Sequence, residues 1–332
     1  MKIFLEAANK VYKKFDGEFM RKFFVAILIF CVIFNFGCGR ENFHFERNEK
    51  VMGTIVTLKA EGKNSRKAID ESFEKIFALV EKIQTDVKNL NDNAGNGKFI
   101  KVTPEVFEIL QTSQKYSELT GGAFDVTVGA AVDLWKLARK NKILPSPDEI
   151  ENAKNFVGYQ HLLLNEIEKT ARLDKSGVKI NLGGVGKGYG VDVAKKIFAE
   201  NGIEDGIIDF GTSSIFAFAQ KKIGLRNPRA ANEIFKVVEI ENSALSTSGD
   251  YEQFFVVEGR RYHHIINPKT CMPTENKISS ATVIVSGDLE NCGTVADILS
   301  TAIFILDKNS AQKIISSVGE EKIKIVSVET EY

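Results

Sequence analysis

The stretch from Ile180 to Asp192, Ile-Asn-Leu-Gly-Gly-Val-Gly-Lys-Gly-Tyr-Gly-Val-Asp, constrains this chain more than any other. Val178 and Ile180 approach it as a strand would, and Val191 to Glu200 beyond it has the composition of a helix. Between them the glycines at 183, 184, 186 and 188 surround Lys187. Glycine lets backbone approach a ligand closely and takes positive φ without strain. A helix that starts in such a loop aims free N–H groups and the positive end of its dipole into it. Lys187 adds a full charge, so the loop reads as built for an anion, phosphate first of all. Its spacing is neither that of a Walker A loop nor that of the dinucleotide fingerprint. The plainer alternative is a glycine turn that only starts a helix.

The rest of the chain frames that loop. Its 332 residues allow one large or two ordinary domains. Lys plus Arg and Asp plus Glu number 44 each, a balance that argues against general nucleic-acid affinity, which needs a basic face. Val51 to Ala60 alternates as a strand does. Ser65 to Val87 carries Ile69, Phe73, Ile76, Phe77, Val80 and Ile83 at helical spacing, and Asn89 to Lys98 reads as a loop. Thr103-Pro104 opens a second helix to about Leu119. Asn141 to Asp148 links to a polar helix, with strands expected near Leu162 and Leu173. Further strands are expected at Gly206 to Phe210, within Ile215 to Ile266, at Ala281 to Val285 and at Ile323 to Val328, the last two flanking a helix from Thr294 to Leu306. This mixture lacks strict βαβ alternation, so the expected class is α+β, a single two-lobed mixed unit from about residue 45 onward.

The N-terminal part reads differently. Met20-Arg21-Lys22 precedes Phe23 to Phe34, an uncharged apolar run, and then Asn35-Phe36-Gly37-Cys38. A basic start, a short apolar core and a small residue before a break describe an export signal. The run is shorter than the roughly 20 apolar residues of a spanning helix, and Met20 supplies a compact signal with its own start. Gly37-Cys38 is similar to the end of a bacterial lipobox, making Cys38 the expected lipidation site. Asn35 and Phe36 depart from that pattern, and plain signal cleavage or a retained anchor are the alternatives. The expected organisation is a signal over 1–37, a solvated tether over 38–50 and one domain over 51–332. Cys271 and Cys292 are then the cysteines of the mature chain, and outside the cytoplasm they could pair.

Four further segments carry chemistry. Gly121 to Val128 places Ala123-Phe124-Asp125 at a glycine bend, where a ring could be walled and hydrogen-bonded at one edge; a glycine helix cap before a buried aromatic is the bland reading. Ser246-Thr247-Ser248-Gly249-Asp250-Tyr251 reads as a turn of hydroxyls and a carboxylate suited to phosphate or metal-bound water, or as an ordinary hairpin turn. Tyr262 to Thr270 holds His263 and His264, two of the four histidines, and a histidine between strand and turn can serve as acid or base near neutral pH. Asp297 and Thr301 are one helical turn apart, so both oxygens project from one face and suit a hard cation; without a metal, a carboxylate near a helix N-terminus is also favourable.

Met52-Gly53-Thr54, Gly122 to Asp125, Leu182 to Gly188, Thr247 to Tyr251, His264 to Pro268 and Ala296 to Thr301 follow one another in an order that resembles the ApbE-type FAD:protein FMN transferases, many of them bacterial lipoproteins. The resemblance runs from Met52 to about Leu306 and implies an ApbE, T-fold-like architecture. It implies Mg²⁺ on Asp297, Thr301 and a carbonyl of Gly184 or Gly186. Met52, Ala123, Phe124, Asp125, Asn181, Lys187 and Ser248 would line an FAD site, with His264 beside the pyrophosphate as the base. The implied reaction moves FMN from FAD onto a Thr or Ser hydroxyl of an exported or membrane flavoprotein and releases AMP. The alternative is an FAD-binding or FAD-pyrophosphatase lipoprotein without efficient transfer. Asn181 and Asn267 stand where the family usually has Asp, Cys271 where it has Gly, and Gly211-Thr212 where it has Gly-Gly. Asn181 costs the site a charge, and Asn267 and Cys271 neighbour His264.

Overall fold

The alternation read from Val51 to Ala60 is one arm of a hairpin. In the computed structural model, which describes residues 44–329 apart from 212, 276 and 307, β1 (His44–Val51) pairs antiparallel with β2 (Thr54–Glu61) in register from His44 opposite Glu61 to Val51 opposite Thr54. Met52 and Gly53 form the connection, both at positive φ (51° and 76°), as tight hairpin turns require. Residues 44–50, expected as solvated tether, are therefore the edge strand of a sheet. Their charges misled because an edge strand covers one face only and carries charge that discourages further pairing; Arg47, for example, reaches Glu49 and Asp70. The signal, Cys38 and residues 38–43 of the tether lie outside the described residues. Among the described residues no helix is long and apolar enough to cross a membrane.

In chain order there follow α1 (Ser65–Asp92), β3 (Ile100–Lys101), α2 (Pro104–Leu119), α3 (Gly129–Asn141), α4 (Pro147–Lys154), β4 (Leu162–Asn165), β5 (Thr170–Leu173), α5 (Gly186–Glu200), β6 (Gly206–Phe210) and β7 (Ser214–Ala217). Next come β8 (Lys221–Asn227), β9 (Ala230–Ile240), β10 (Ser243–Gly249), β11 (Phe254–Val257), β12 (Arg260–His263), β13 (Ile266–Asn267), β14 (Met272–Pro273), β15 (Ile278–Ser286), α6 (Cys292–Ile305), α7 (Lys308–Val318) and β16 (Ile323–Glu329). The expected helices and strands are present except the strand-like approach at Val178 and Ile180, where only an isolated bridge joins Lys179 to Val128, and α1 runs on through the first residues assigned to a loop. Two helices, α3 and α7, were not expected.

Seven strands form one sheet in the order β1-β2-β6-β7-β10-β15-β16, every neighbouring pair antiparallel. That is the α+β class expected from the absence of βαβ alternation. Side chains alternate across the sheet: Phe216, Ala244 and Val283 join the main core with α1, α5 and α6, while Ile215, Leu245 and Ile284 pack with Leu225, Val238 and Ile240 of the β8–β9 hairpin. A third apolar cluster gathers Trp135, Phe255, Tyr262 and Cys271. Cys271 belongs to that cluster and Cys292 to the main core, and both are free thiols, so the pairing considered from sequence is not formed. Burial pushes them up to about 11 and about 12.

Candidate active site

The glycine run does two jobs, and only one of them faces a ligand. α5 begins at Gly186, inside the run, and crosses α6 closely. A Cβ on Gly188 would stand 2.2 Å from the Gly293 carbonyl oxygen and 2.9 Å from Asp297 Cβ, and one on Gly190 would meet the Phe210 ring at 2.6 Å. These two glycines are there for packing. Gly184 differs: a Cβ there would lie 3.2 Å from the Phe124 ring and 3.4 Å from Thr301 Oγ1, so the loop backbone runs between an aromatic wall and the Asp297–Thr301 face of α6. The N-terminus of α6 is closed by Asp192 of α5, which accepts from Gly293 N and Thr294 N, each at 2.8 Å, and from Thr294 Oγ1 at 2.6 Å.

Asp297 is 4% exposed and its carboxylate joins three elements. Oδ2 accepts from Gly188 N at 2.6 Å, and Oδ1 accepts from Ser214 Oγ at 2.6 Å and Ser246 Oγ at 2.5 Å. The anion nearest the start of α5 is thus a protein carboxylate. Ser248, two residues after Ser246 and so on the same face of β10, pairs with Ser300 Oγ at 3.0 Å and Thr301 Oγ1 at 3.3 Å. The hydroxyls expected in a turn lie on a strand instead. Asp250 is not part of this cluster: Arg229 grips it through two bonds of 2.7 Å, and it ties the β8–β9 turn to the end of β10.

These groups border a cleft of about 420 Å³. Met52, Ala123, Phe124, Asp125, Asn181, Gly184, Lys187, Ser248, His264, Asp297 and Thr301 all line it. Gly186 does not; it is buried in the first turn of α5, its N–H donating to Leu182 O at 2.9 Å. Of the two glycines considered for a metal-facing carbonyl, Gly184 is therefore the one on the cleft. The Asp125 carboxylate is buried, accepts from Thr127 N and Thr127 Oγ1 at 2.7 Å each, and has its pKa raised by desolvation. Asn181 Oδ1 accepts from Gly183 N at 2.9 Å, and its backbone N–H donates to Val126 O at 2.7 Å. That side chain fastens the entry of the glycine loop, work that needs an acceptor oxygen and no charge.

The paired histidines separate cleanly. His263 is buried, with Nε2 bonded to Thr274 O at 2.9 Å and Nδ1 accepting from Ile265 N at 3.2 Å, its ring edge-on to Phe304. It is a structural neutral imidazole. His264 opens to solvent on the cleft wall. Desolvation among the wall atoms, then His263 and the cations Lys187 and Arg139, pull its pKa down to about 4. At neutral pH its ring is uncharged and can accept a proton.

Among the described residues no group of three or more His, Cys, Asp or Glu side chains converges as a metal cage. The donors around Thr301 are one carboxylate and several hydroxyls, all hard oxygens beside an open cleft, with the backbone of Gly184 alongside. That set fits Mg²⁺, which keeps waters and takes phosphate oxygens rather than a full protein cage.

Sequence reasoning missed α3, Ser214 and the bond by which Ser246, read there as part of a turn, holds Asp297. Ala131, Trp135 and Ala138 are buried at helical spacing, and that periodicity was the available signal. α3 brings Trp135, Lys136 and Arg139 to the cleft. Ser214 carries no local signal, and Ser246 stood out only as one hydroxyl of its segment, since the bond of each to Asp297 comes from strand register.

An antiparallel sheet backed by crossed helices, with one cleft presenting a lysine, an uncharged histidine and a hydroxyl-carboxylate cluster, describes a protein that handles a phosphorylated ligand. The ApbE family profile matches residues 52–325, and the chain belongs to the ApbE family. It is similar to the FAD:protein FMN transferase of Treponema pallidum, 25% identical over 311 residues that cover 85% of this chain and 84% of the relative. Among solved structures it is similar to the ApbE protein of Thermotoga maritima, with a TM-score of 0.76, 28% identity, and coverage of 87% of this chain and 97% of the other. The flavin transferase ApbE of Vibrio cholerae shares the fold, with a TM-score of 0.74 at 21% identity over 87% of this chain and 94% of the other.

Proposed function

We propose that this chain is an FAD:protein FMN transferase that joins FMN to a Thr or Ser hydroxyl of a partner flavoprotein and releases AMP. The observation that carries the reading is the meeting in one cleft of Lys187, His264, the Asp125 bend and the Asp297–Thr301–Ser248 cluster, each from a different part of the chain. In the reaction, the acceptor hydroxyl oxygen bonds to the phosphorus of the FMN half. The bridging P–O bond breaks, and its electron pair leaves with AMP. Such transfers need charge neutralisation and alignment more than covalent help. Lys187 opposes the phosphate charge, and the imidazole of His264 takes the hydroxyl proton, a step an uncharged ring can perform. Phe124 and Asp125 hold the flavin nucleotide at the bend. Mg²⁺, held by Asp297, Thr301 and the Gly184 carbonyl, would supply further neutralisation of phosphate charge.

The location proposed with this activity is the outer face of a bacterial membrane, by a lipid on Cys38 after export. It rests on Arg21-Lys22, the apolar run to Phe34 and Gly37-Cys38. The test of the chemistry is incubation of the purified protein with FAD, Mg²⁺ and a co-encoded exported flavoprotein. Flavin covalently on a hydroxyl of the acceptor supports transfer. FMN and AMP without modified acceptor mean hydrolysis, and intact bound FAD means a carrier.

A further inference from the structure

Arg139, like Lys136, is a cleft cation with no part in the reaction as set out above. Its helix, α3, is docked by Trp135, whose Nε1–H donates to Cys271 O at 2.7 Å and whose indole stacks on Tyr262 at 5.6 Å and 19°. Tyr262 lies two residues before His264, so this docking fixes α3 against the segment that carries the base. The next residue, Lys136, and Arg139 one turn further along α3 both line the cleft. The Arg139 guanidinium is steadied by Gln253 Oε1 at 2.9 Å, a neutral partner. Among the described residues no carboxylate pairs with it, whereas Arg229 and Arg226 meet Asp250 and Glu252. The other acids of the cleft are engaged too, Asp297 by two serines and an amide, Asp125 by Thr127. Lys187 on α5 and Arg139 on α3 both bring positive charge to bear on His264.

A steadied but unneutralised guanidinium in a cleft is a phosphate receptor, because its planar fork matches two oxygens at once. The pyrophosphate of FAD has two phosphates with different fates, one esterified to the acceptor and one departing with AMP. We propose that Arg139, assisted by Lys136, binds the pyrophosphate of FAD from the α3 wall of the cleft while Lys187 binds it from α5, so that the two cations share the charge that develops as the P–O bond breaks. The inference rests on the FAD reading above and adds to it a second cationic wall for the pyrophosphate.

The test measures FAD affinity by flavin fluorescence, together with AMP release, for the mature chain and for Arg139→Gln, Arg139→Lys and Gln253→Ala. Arg139→Gln should weaken FAD binding about tenfold or more, the scale of one charge-assisted bond, lower kcat as well, and make binding less sensitive to KCl. Arg139→Lys should recover part of the loss. Gln253→Ala removes the bridge but keeps the guanidinium, so it should stay closer to wild type; an equal loss in both would show that Arg139 serves the cleft wall and would overturn the inference. FAD affinity and turnover within about twofold of wild type in Arg139→Gln would overturn it as well, while leaving the FAD reading intact. A wild-type chain that binds no FAD would refute that reading itself. Should Arg139→Gln fail to fold, Lys136→Gln carries the same measurement with the same two outcomes.

Discussion

Replacing Asp297 by alanine and by asparagine should separate two roles that one carboxylate plays. In the folded chain it accepts from Gly188 N, Ser214 Oγ and Ser246 Oγ, and it is nearly inaccessible to solvent. With alanine, the Gly188 N–H is left buried without an acceptor, at a cost of about 1–3 kcal/mol. The two serine hydroxyls can turn, and Ser246 has Ser300 within 3.3 Å, so their loss adds roughly 1 kcal/mol. Asp297→Ala should therefore lose about 2–4 kcal/mol of stability together with its activity. Asparagine can place its amide oxygen on Gly188 N and donate its NH₂ to the serines, which accept as readily as they donate. Its stability should fall by about 1 kcal/mol or less, while the charge available to a metal is gone and Mg²⁺-dependent AMP release is abolished. Urea unfolding followed by circular dichroism gives the first quantity, and a coupled AMP assay across Mg²⁺ concentrations gives the second. Stability of Asp297→Ala within about 0.5 kcal/mol of wild type would refute the linking role. Full Mg²⁺-dependent turnover in Asp297→Asn, or undiminished turnover of the wild type in excess chelator, would refute the metal role.

Other outcomes follow from the same geometry. His264→Ala should slow transfer roughly 10²–10⁴-fold, the scale of a general base, with FAD binding little changed; equal kinetic loss from His263→Ala would mean that packing is responsible. Because the pKa of His264 is pulled down to about 4, the acid limb of kcat/KM should lie near pH 4, well below the ordinary imidazole range; a limb near 6.5 would contradict that environment. Folded-state pKa values of both His263 and His264 lie below that of free histidine, so their contribution to stability is complete above about pH 6.5 and is lost as pH falls toward 4; thermal melts across that window should show the decline, and a flat profile would argue against it. Gly188→Ala should cost about 1–3 kcal/mol through overpacking, since its Cβ would meet the Gly293 carbonyl at 2.2 Å; an unchanged melting temperature would rule out the tight α5–α6 crossing. Cys38→Ser should move the protein from the membrane to the soluble fraction, and an unmodified mature N-terminus by mass spectrometry on the native protein would refute lipidation.

The sequence alone determined what depends on near neighbours. The α1 periodicity, the Thr103-Pro104 start of α2 and the Gly206 to Phe210 strand were legible because burial stripes and caps are written within a few residues. The site segments were legible for a related reason: glycines, a lysine, paired histidines and an aspartate–threonine turn each carry a local chemical signature. Tertiary structure decided which of those residues meet. Gly188 and Gly190 look in sequence like Gly184, but of the three only Gly184 faces the cleft, because α6 presses on Gly188 and the Phe210 ring of β6 on Gly190. His263 and His264 are adjacent and chemically identical, and the geometry of the chain leaving β12 buries one and opens the other. Ser214 and Ser246 acquire their carboxylate partner from strand order, and β1 is an edge strand only because β2 lies beside it. Such pairings join residues far apart in the chain, and no local pattern specifies them.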